Sequence, residues 1–172
     1  MNEPFRPRSA AAVLVLVRES SREGRQVLLI QRSETVKTHQ GQVAFPGGGI
    51  EECDSGDPVL AALRECHEEV GITSDAIRVI RSLPPLPTLT SGFFVHAVLA
   101  EWTEECAPEM KPDPQEVAHA EWVSVKNLLQ TRRVENGFPV FDWIAIDRTQ
   151  RRVWGLTAII FDLLFRSDDA SV

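Results

Sequence analysis

Cysteine is scarce in this chain. The three present, Cys53, Cys66 and Cys106, are odd in number and far apart. That pattern argues against a disulfide framework and fits a reducing cytoplasm. No Cys-x-x-Cys pair occurs, so a structural zinc site is not expected. A long hydrophobic run is also missing. The apolar stretch Ala10–Val17 is too short to cross a bilayer and is followed at once by Arg18 and Glu19. It does not end in the small residues of a cleavable leader, so no signal peptide is read there. Positive charge is the third shortage. Lys and Arg number 18 against 25 Asp and Glu, a net charge of −7. Such a surface repels phosphate polymers, so nucleic acid is not an expected partner. A small anionic substrate stays compatible if metal or a few Lys/Arg meet its charge locally.

What remains is an ordinary domain composition. With 172 residues, 43% apolar and 25% charged, the chain can bury one core. Residues 1–9 read as a flexible arm, 10–166 as one domain, and 167–172 as a flexible tail. Ala11–Val17 and Gln26–Gln31 read as a hairpin around the polar turn Glu19–Gly24. Val43–Phe45 is a short apolar piece, and Pro46-Gly47-Gly48-Gly49 is expected to break regular structure. Ile77–Leu83 and Phe93–Trp102 read as strands, separated by a stiff loop at Pro84-Pro85-Leu86-Pro87. Further on, Ala120–Val123 reads as a strand and Val125–Arg132 as a short helix. Phe138–Ile146 reads as extended chain that Arg151–Val153 can pair with. Leu156–Arg166 reads as a helix with Leu156, Ile159, Ile160, Leu163 and Leu164 on its apolar face. Strands and helices mix without strict alternation, which predicts an α/β fold with helices packed on a mixed sheet.

The clearest element runs from Pro58 to Val70. Asp57 is a good N-cap, Pro58 suits the first helical position, and Gly71 is a good stop. Val59, Leu63, Cys66 and Val70 form one apolar stripe, with Glu65, Glu68 and Glu69 on another face. Spacings of i, i+3 and i, i+4 bunch these carboxylates, which destabilises an isolated helix by a few tenths of a kcal/mol per pair. A hard divalent cation removes that cost and prefers oxygen ligands. The glycine run before the helix can offer a bare carbonyl to the same ion, and Arg64 can orient a carboxylate through a two-toothed pair. A merely solvated acidic face is the competing reading of such a helix.

The string Arg64-Glu65-Cys66-His67-Glu68-Glu69-Val70-Gly71-Ile72 resembles the second half of a Nudix box. That resemblance implies an α/β/α sandwich around a mixed sheet. It also implies hydrolysis of a nucleoside diphosphate linked to another group. Two or three Mg²⁺ or Mn²⁺ ions would be held by Glu65, Glu68, Glu69 and a Gly47 or Gly48 carbonyl, with Glu68 or Glu116 as the base. The first half of the box departs from the pattern. The position of the usual glutamate, eight before Arg64, is Gly56, which implies a two-residue insertion. Asp54 or Asp57 is expected to stand in for that glutamate, with Glu51 and Glu52 as further candidates.

Upstream, Leu28-Leu29-Ile30-Gln31-Arg32-Ser33, then Lys37, Gly41 and Phe45-Pro46-Gly47-Gly48, resembles an extra motif of coenzyme A pyrophosphatases within that family. Lys37 stands where the motif has Arg, and lysine is a point charge rather than a planar fork. The resemblance implies a substrate-binding role for Arg32, Ser33, Lys37, His39 and Gly41, and products 3′,5′-ADP and 4′-phosphopantetheine. Later landmarks are Ser91-Gly92-Phe93, Pro114-Gln115-Glu116-Val117 and Trp154-Gly155-Leu156-Thr157-Ala158. Of these, Trp154-Gly155 reads as the anchor of a core helix. His67 is expected at the surface and His96 packed in its strand. The expected partner is a small-molecule nucleotide, with no membrane and with room left for a homodimer. Two alternatives stay open. One is another Nudix specificity, for ADP-ribose, NADH or a dinucleoside polyphosphate. The other is a silent binding module of the same fold, which would be expected to have lost a helix glutamate.

Overall fold

The computed structural model describes residues 10–36, 39–88 and 93–167. The strands and helices, in chain order, are β1 (Ala10–Ser20), β2 (Gly24–Arg32), β3 (Val43–Ala44), β4 (Gly47–Gly49), α1 (Pro58–Val70), β5 (Ile77–Ser82), β6 (Leu86–Pro87), β7 (Phe94–Trp102), β8 (Val117–Ser124), α2 (Val125–Gln130), β9 (Arg133–Glu135), β10 (Phe138–Ile144), β11 (Gln150–Val153) and α3 (Gly155–Phe165). The main sheet runs β3-β2-β1-β7-β5, with β4 on β1, β6 on β7 and β8 on β2. Its β1–β7 pair is parallel and its other pairs antiparallel, so the sheet is mixed as predicted. A separate meander orders β11-β10-β9.

Strand β1 explains the layering. Its side chains alternate between faces, and both faces are apolar. Leu14 and Leu16 join Ala61, Ala62, Cys66 and Val70 of α1 in one core. Val15 and Val17 join Leu128, Phe141 and Phe161 in the other, under α2, α3 and the small sheet. The result is a sandwich with α1 on one side of the main sheet and α2 and α3 on the other. No helix among the described residues is long and apolar enough to cross a membrane.

Helix α1 begins and ends where the sequence places it. The Asp57 side chain accepts the Val59 N–H at 2.8 Å, and Gly71 closes the helix with a left-handed φ of 74°. Its buried side is different from the predicted stripe. Ala61, Ala62, Cys66, Glu69 and Val70 are buried, while Val59 and Leu63 are only partly so. Small residues let the helix lie close to the sheet, and this rotates Glu69 inward, away from a solvated acidic face.

Other expectations are also corrected. The run Gly47–Gly49 does not break the sheet but forms β4, with Gly47 opposite Val13 and Gly48 opposite Ala12. A Cβ on Gly47 would lie 2.3 Å from the Ala12 carbonyl oxygen, and one on Gly48 would lie 2.4 Å from a Glu65 oxygen. Glycine is present because β4 is wedged between β1 and α1. The proline loop contains a short pairing, Leu86 with Val95 and Pro87 with Phe94. Strand β9 has no counterpart in the sequence reading; it joins β10 through Asn136 and Gly137, both with positive φ. In α3 the buried residues are Ala158, Ile160, Phe161 and Phe165, whereas Leu163 is 61% exposed. That helix is apolar nearly all round, so composition alone does not select its buried face. Trp154 is the N-cap of α3 and Gly155 its first residue, as expected, with the indole itself half exposed. Of the later landmarks, Ser91 and Gly92 lie outside the described residues. His67 is exposed, and His96 is partly buried on β7.

Candidate active site

The site forms where β4, α1 and two loops meet. Arg64 is its organiser. Its guanidinium bonds both oxygens of Asp54, at 3.0 and 2.9 Å. It also donates to Glu65 Oε1 and Glu68 Oε2, each at 3.0 Å, and to the Gly49 carbonyl at 3.0 Å. Planar, always charged and many-toothed, arginine suits such a hub.

The structure separates the two candidate replacements for the absent box glutamate. Asp54 is buried, and the Arg64 side-chain bonds hold its carboxyl down at a pKa of about 2. It also accepts the Glu51 N–H at 2.8 Å. Asp57 instead caps α1. The extra loop length is taken up by a 3₁₀ turn at Glu52–Asp54 and two left-handed residues, Ser55 and Gly56. Glu51 and Glu52 are exposed.

The other acids sit apart from Asp54. Glu69 is only 1% exposed. One of its oxygens accepts the Gly47 N–H at 2.8 Å, and the other faces Arg32 Nη1 at 3.4 Å. Burial pushes the Glu69 carboxyl up to a pKa of about 8; Gly47 and Arg32 pull it back, while Glu65 and Glu116 push it further up. Burial also raises Glu65, opposed by Arg64 and reinforced by Glu68 and Glu116. Glu68 is the exposed member of the helix group. Cys66, between them, is an inert packing residue whose thiol burial pushes up to about 12.

Glu116 therefore lies within electrostatic reach of Glu65 and Glu69. The chain from 111 to 117 brings it there. Lys111 N–H donates to the Val70 carbonyl at 2.8 Å and Asp113 N–H to the Glu69 carbonyl at 3.0 Å. The Glu116 carbonyl takes the Ser33 N–H at 2.7 Å, which ties this loop to the end of β2.

Of the upstream residues, Arg32 points at Glu69. The Ser33 hydroxyl lies 2.8 Å from that of Thr35, which donates in turn to the Gln115 carbonyl. His39 is exposed and bonds Gln42. Gly41 has a left-handed φ of 65° and closes the turn into β3 through its N–H to the Arg32 carbonyl at 3.1 Å. Lys37 lies outside the described residues. The sequence reading missed Gly49 as an Arg64 acceptor. Its only signal was that the glycine run continues one residue past Gly48.

Among the described residues no group of three or more His, Cys, Asp or Glu side chains is arranged to hold a metal ion. The donor set nevertheless fits a hard cation. Glu69 is buried and Glu65 largely so, the charge of Glu65 helps to push the Glu69 carboxyl up, and Glu116 acts on both; hard divalent ions select clustered oxygen ligands of this kind.

The chain as a whole has known relatives. Residues 7–144 match the NUDIX domain model. The chain belongs to the NUDIX domain family. A Schizosaccharomyces pombe protein named Probable nudix hydrolase is 32% identical over 171 residues, covering 96% of this chain and 57% of that protein. A Citrobacter koseri protein named Uncharacterized Nudix hydrolase NudL is 46% identical over 92 residues, covering 54% of this chain and 46% of that protein. The chain thus spans about half the length of the curated relatives it matches. The crystal structure of the Mycobacterium smegmatis Nudix hydrolase RenU matches with a TM-score of 0.65 at 19% identity, over 96% of this chain and 88% of that one. The NUDIX domain of Shewanella oneidensis NrtR, complexed with ADP ribose, matches with a TM-score of 0.56 at 18% identity, over 75% and 82%. These likenesses establish the Nudix fold, an α/β sandwich with a mixed sheet.

Proposed function

We propose that this Nudix domain hydrolyses the pyrophosphate bond of a nucleoside diphosphate-linked substrate, with coenzyme A or an acyl derivative preferred. One observation carries the hydrolase reading. Buried Glu69 meets Gly47 and largely buried Glu65 lies against Gly48, with Glu116 in electrostatic range of both carboxylates. Glu65, Glu68, Glu69 and a Gly47 or Gly48 carbonyl would hold Mg²⁺ or Mn²⁺. When bound, such an ion offsets phosphate charge and polarises a phosphoryl oxygen. Arg64 orients Glu65 and Glu68 while Asp54 fixes Arg64. Glu116 or Glu68 accepts the proton of the attacking water on a carboxylate oxygen. Products from coenzyme A would be 3′,5′-ADP and 4′-phosphopantetheine.

The preference for coenzyme A rests on the upstream motif. Its basic residues, Arg32, Lys37 and His39, stand out in a chain of net charge −7. A 3′-phosphate met by Lys37 would contribute about 1.5–3 kcal/mol, as charged hydrogen bonds do. Steady-state rates on coenzyme A, its dephospho form and ADP-ribose test this. Coenzyme A should lead in kcat/KM by about 10- to 100-fold, and Lys37→Ala should erase its lead over the dephospho form. Equal values for all three substrates would leave only a generic Nudix pyrophosphatase.

A further inference from the structure

A polar chain with a buried arginine at its centre links the small sheet to the loop beside the acidic helix. Arg151 on β11 is only 7% exposed, so its charge needs partners. Its two terminal nitrogens donate to the two oxygens of Asp147, each at 2.7 Å. Asp147 sits in the β10–β11 turn and also accepts the Thr149 N–H at 2.9 Å. The third Arg151 nitrogen, Nε, donates to Gln31 Oε1 at 3.0 Å. The other end of that amide, Gln31 Nε2, donates to the Gly41 carbonyl at 3.2 Å. Gly41 in turn is bonded to Arg32, and Arg32 N–H donates to the Gln42 carbonyl at 2.9 Å.

Gln31 therefore receives at one end and donates at the other, which fixes its orientation. A residue with a single polar atom could not do both. The segment it holds is the returning limb of the loop between β2 and β3. The outgoing limb of that loop faces the site: Arg32 toward Glu69, Ser33 N–H on the Glu116 carbonyl, Thr35 on the Gln115 carbonyl. One limb is thus tied to the acidic site, and the other is braced from the far side of the molecule.

We infer that Gln31 and Arg151 are positioning residues that fix the β2–β3 loop beside the acidic site and thereby set affinity for the substrate. Neither touches the reacting atoms. The inference rests on the reading that this loop meets the part of the substrate beyond the scissile bond. A brace of this kind acts on how well the loop is preorganised, so it changes binding more than chemistry.

The test uses Gln31→Glu, which keeps an acceptor for Arg151 and removes the donor to Gly41. Arg151→Met is the companion, removing the buried guanidinium itself. Hydrogen exchange in the intact protein reads the brace directly. At residues 39–42 exchange should rise at least about tenfold in Gln31→Glu, while α1 stays protected as in the wild type. Steady-state hydrolysis of coenzyme A reads the consequence. KM should rise about tenfold with kcat within twofold, and Mn²⁺ affinity measured without substrate should stay within twofold. Unchanged exchange at 39–42 overturns the inference, as does a fall in kcat with KM constant. Should Arg151→Met fail to fold, Gln31→Glu decides alone. A wild type inert toward every pyrophosphate would contradict the functional reading instead, while the exchange experiment still stands or falls separately.

Discussion

Arg64 and Glu69 show how single residues divide the labour of the site. Arg64 gathers Asp54, Glu65 and Glu68 in one network, so loss of its Asp54 anchor should be felt by its other partners. Asp54→Asn should lower kcat about tenfold or more by loosening Arg64, whereas Asp57→Ala should cost about 1 kcal/mol of stability through the helix cap and leave the rate nearly intact. Thermal unfolding and steady-state kinetics on the two variants separate these effects; equal behaviour would refute the division. Glu69 gives a pH prediction. Its folded pKa of about 8 lies above its ordinary value of 4.5, so folding favours the protonated form. The associated stability is present at low pH and is lost as pH rises toward and through 8. In chelator, Glu69→Gln should match the wild type near pH 5 and become more stable by on the order of 1–3 kcal/mol near pH 9. Denaturant unfolding across that range checks the sign. A wild type that gains on the variant as pH rises contradicts it.

Much of this was readable at the level of residues. The helix glutamates and Arg64 declare themselves by spacing, and the capping pair Asp57 and Gly71 marks the helix ends. The inward turn of Glu69 was not readable. It depends on Ala61 and Ala62 letting α1 approach the sheet, and a periodicity count weights those alanines too little against Val59 and Leu63. The choice between Asp54 and Asp57 was equally hidden, since only the folded loop shows which acid meets Arg64.

Among elements, β4 departs most from its sequence. Three consecutive glycines read as a breaker, yet here they are a strand whose neighbours leave no room for a side chain at Gly47 or Gly48. Gly47 and Gly48 should fail differently. Alanine at Gly47 would press on the Ala12 backbone, which cannot move cheaply, so Gly47→Ala should destabilise by about 2 kcal/mol or more. Alanine at Gly48 would press on the Glu65 carboxylate, a flexible end, so Gly48→Ala should fold with little loss while activity falls. Melting curves and initial rates on both variants test this contrast, and a Gly48→Ala protein with full activity would remove Glu65 from the site. The hairpin β9–β10 was legible and missed. Asn136-Gly137 is the usual signal for a two-residue turn with positive φ at both positions. For α3 no pattern could help, because nearly every position is apolar and packing alone chose Phe161 and Phe165.

At the scale of the whole molecule, the sandwich brings distant segments to one acidic corner: β2, β4, α1 and the 111–117 loop. The mixed sheet and its two cores were foreshadowed by the double-faced apolar run of β1. The convergence of Glu116 on α1 was not, because it depends on backbone bonds from Lys111 and Asp113 to the end of the helix. This corner is proposed to cut a pyrophosphate bond through Glu65 and its neighbours. The most direct test is the initial rate of coenzyme A cleavage at saturating Mg²⁺, wild type against Glu65→Gln, with folding of the variant verified by its melting curve. The prediction is formation of 3′,5′-ADP by the wild type, abolished by excess chelator, and a fall in kcat of about 100-fold or more in the variant. Equal rates for the two proteins, or full activity in chelator, would contradict it.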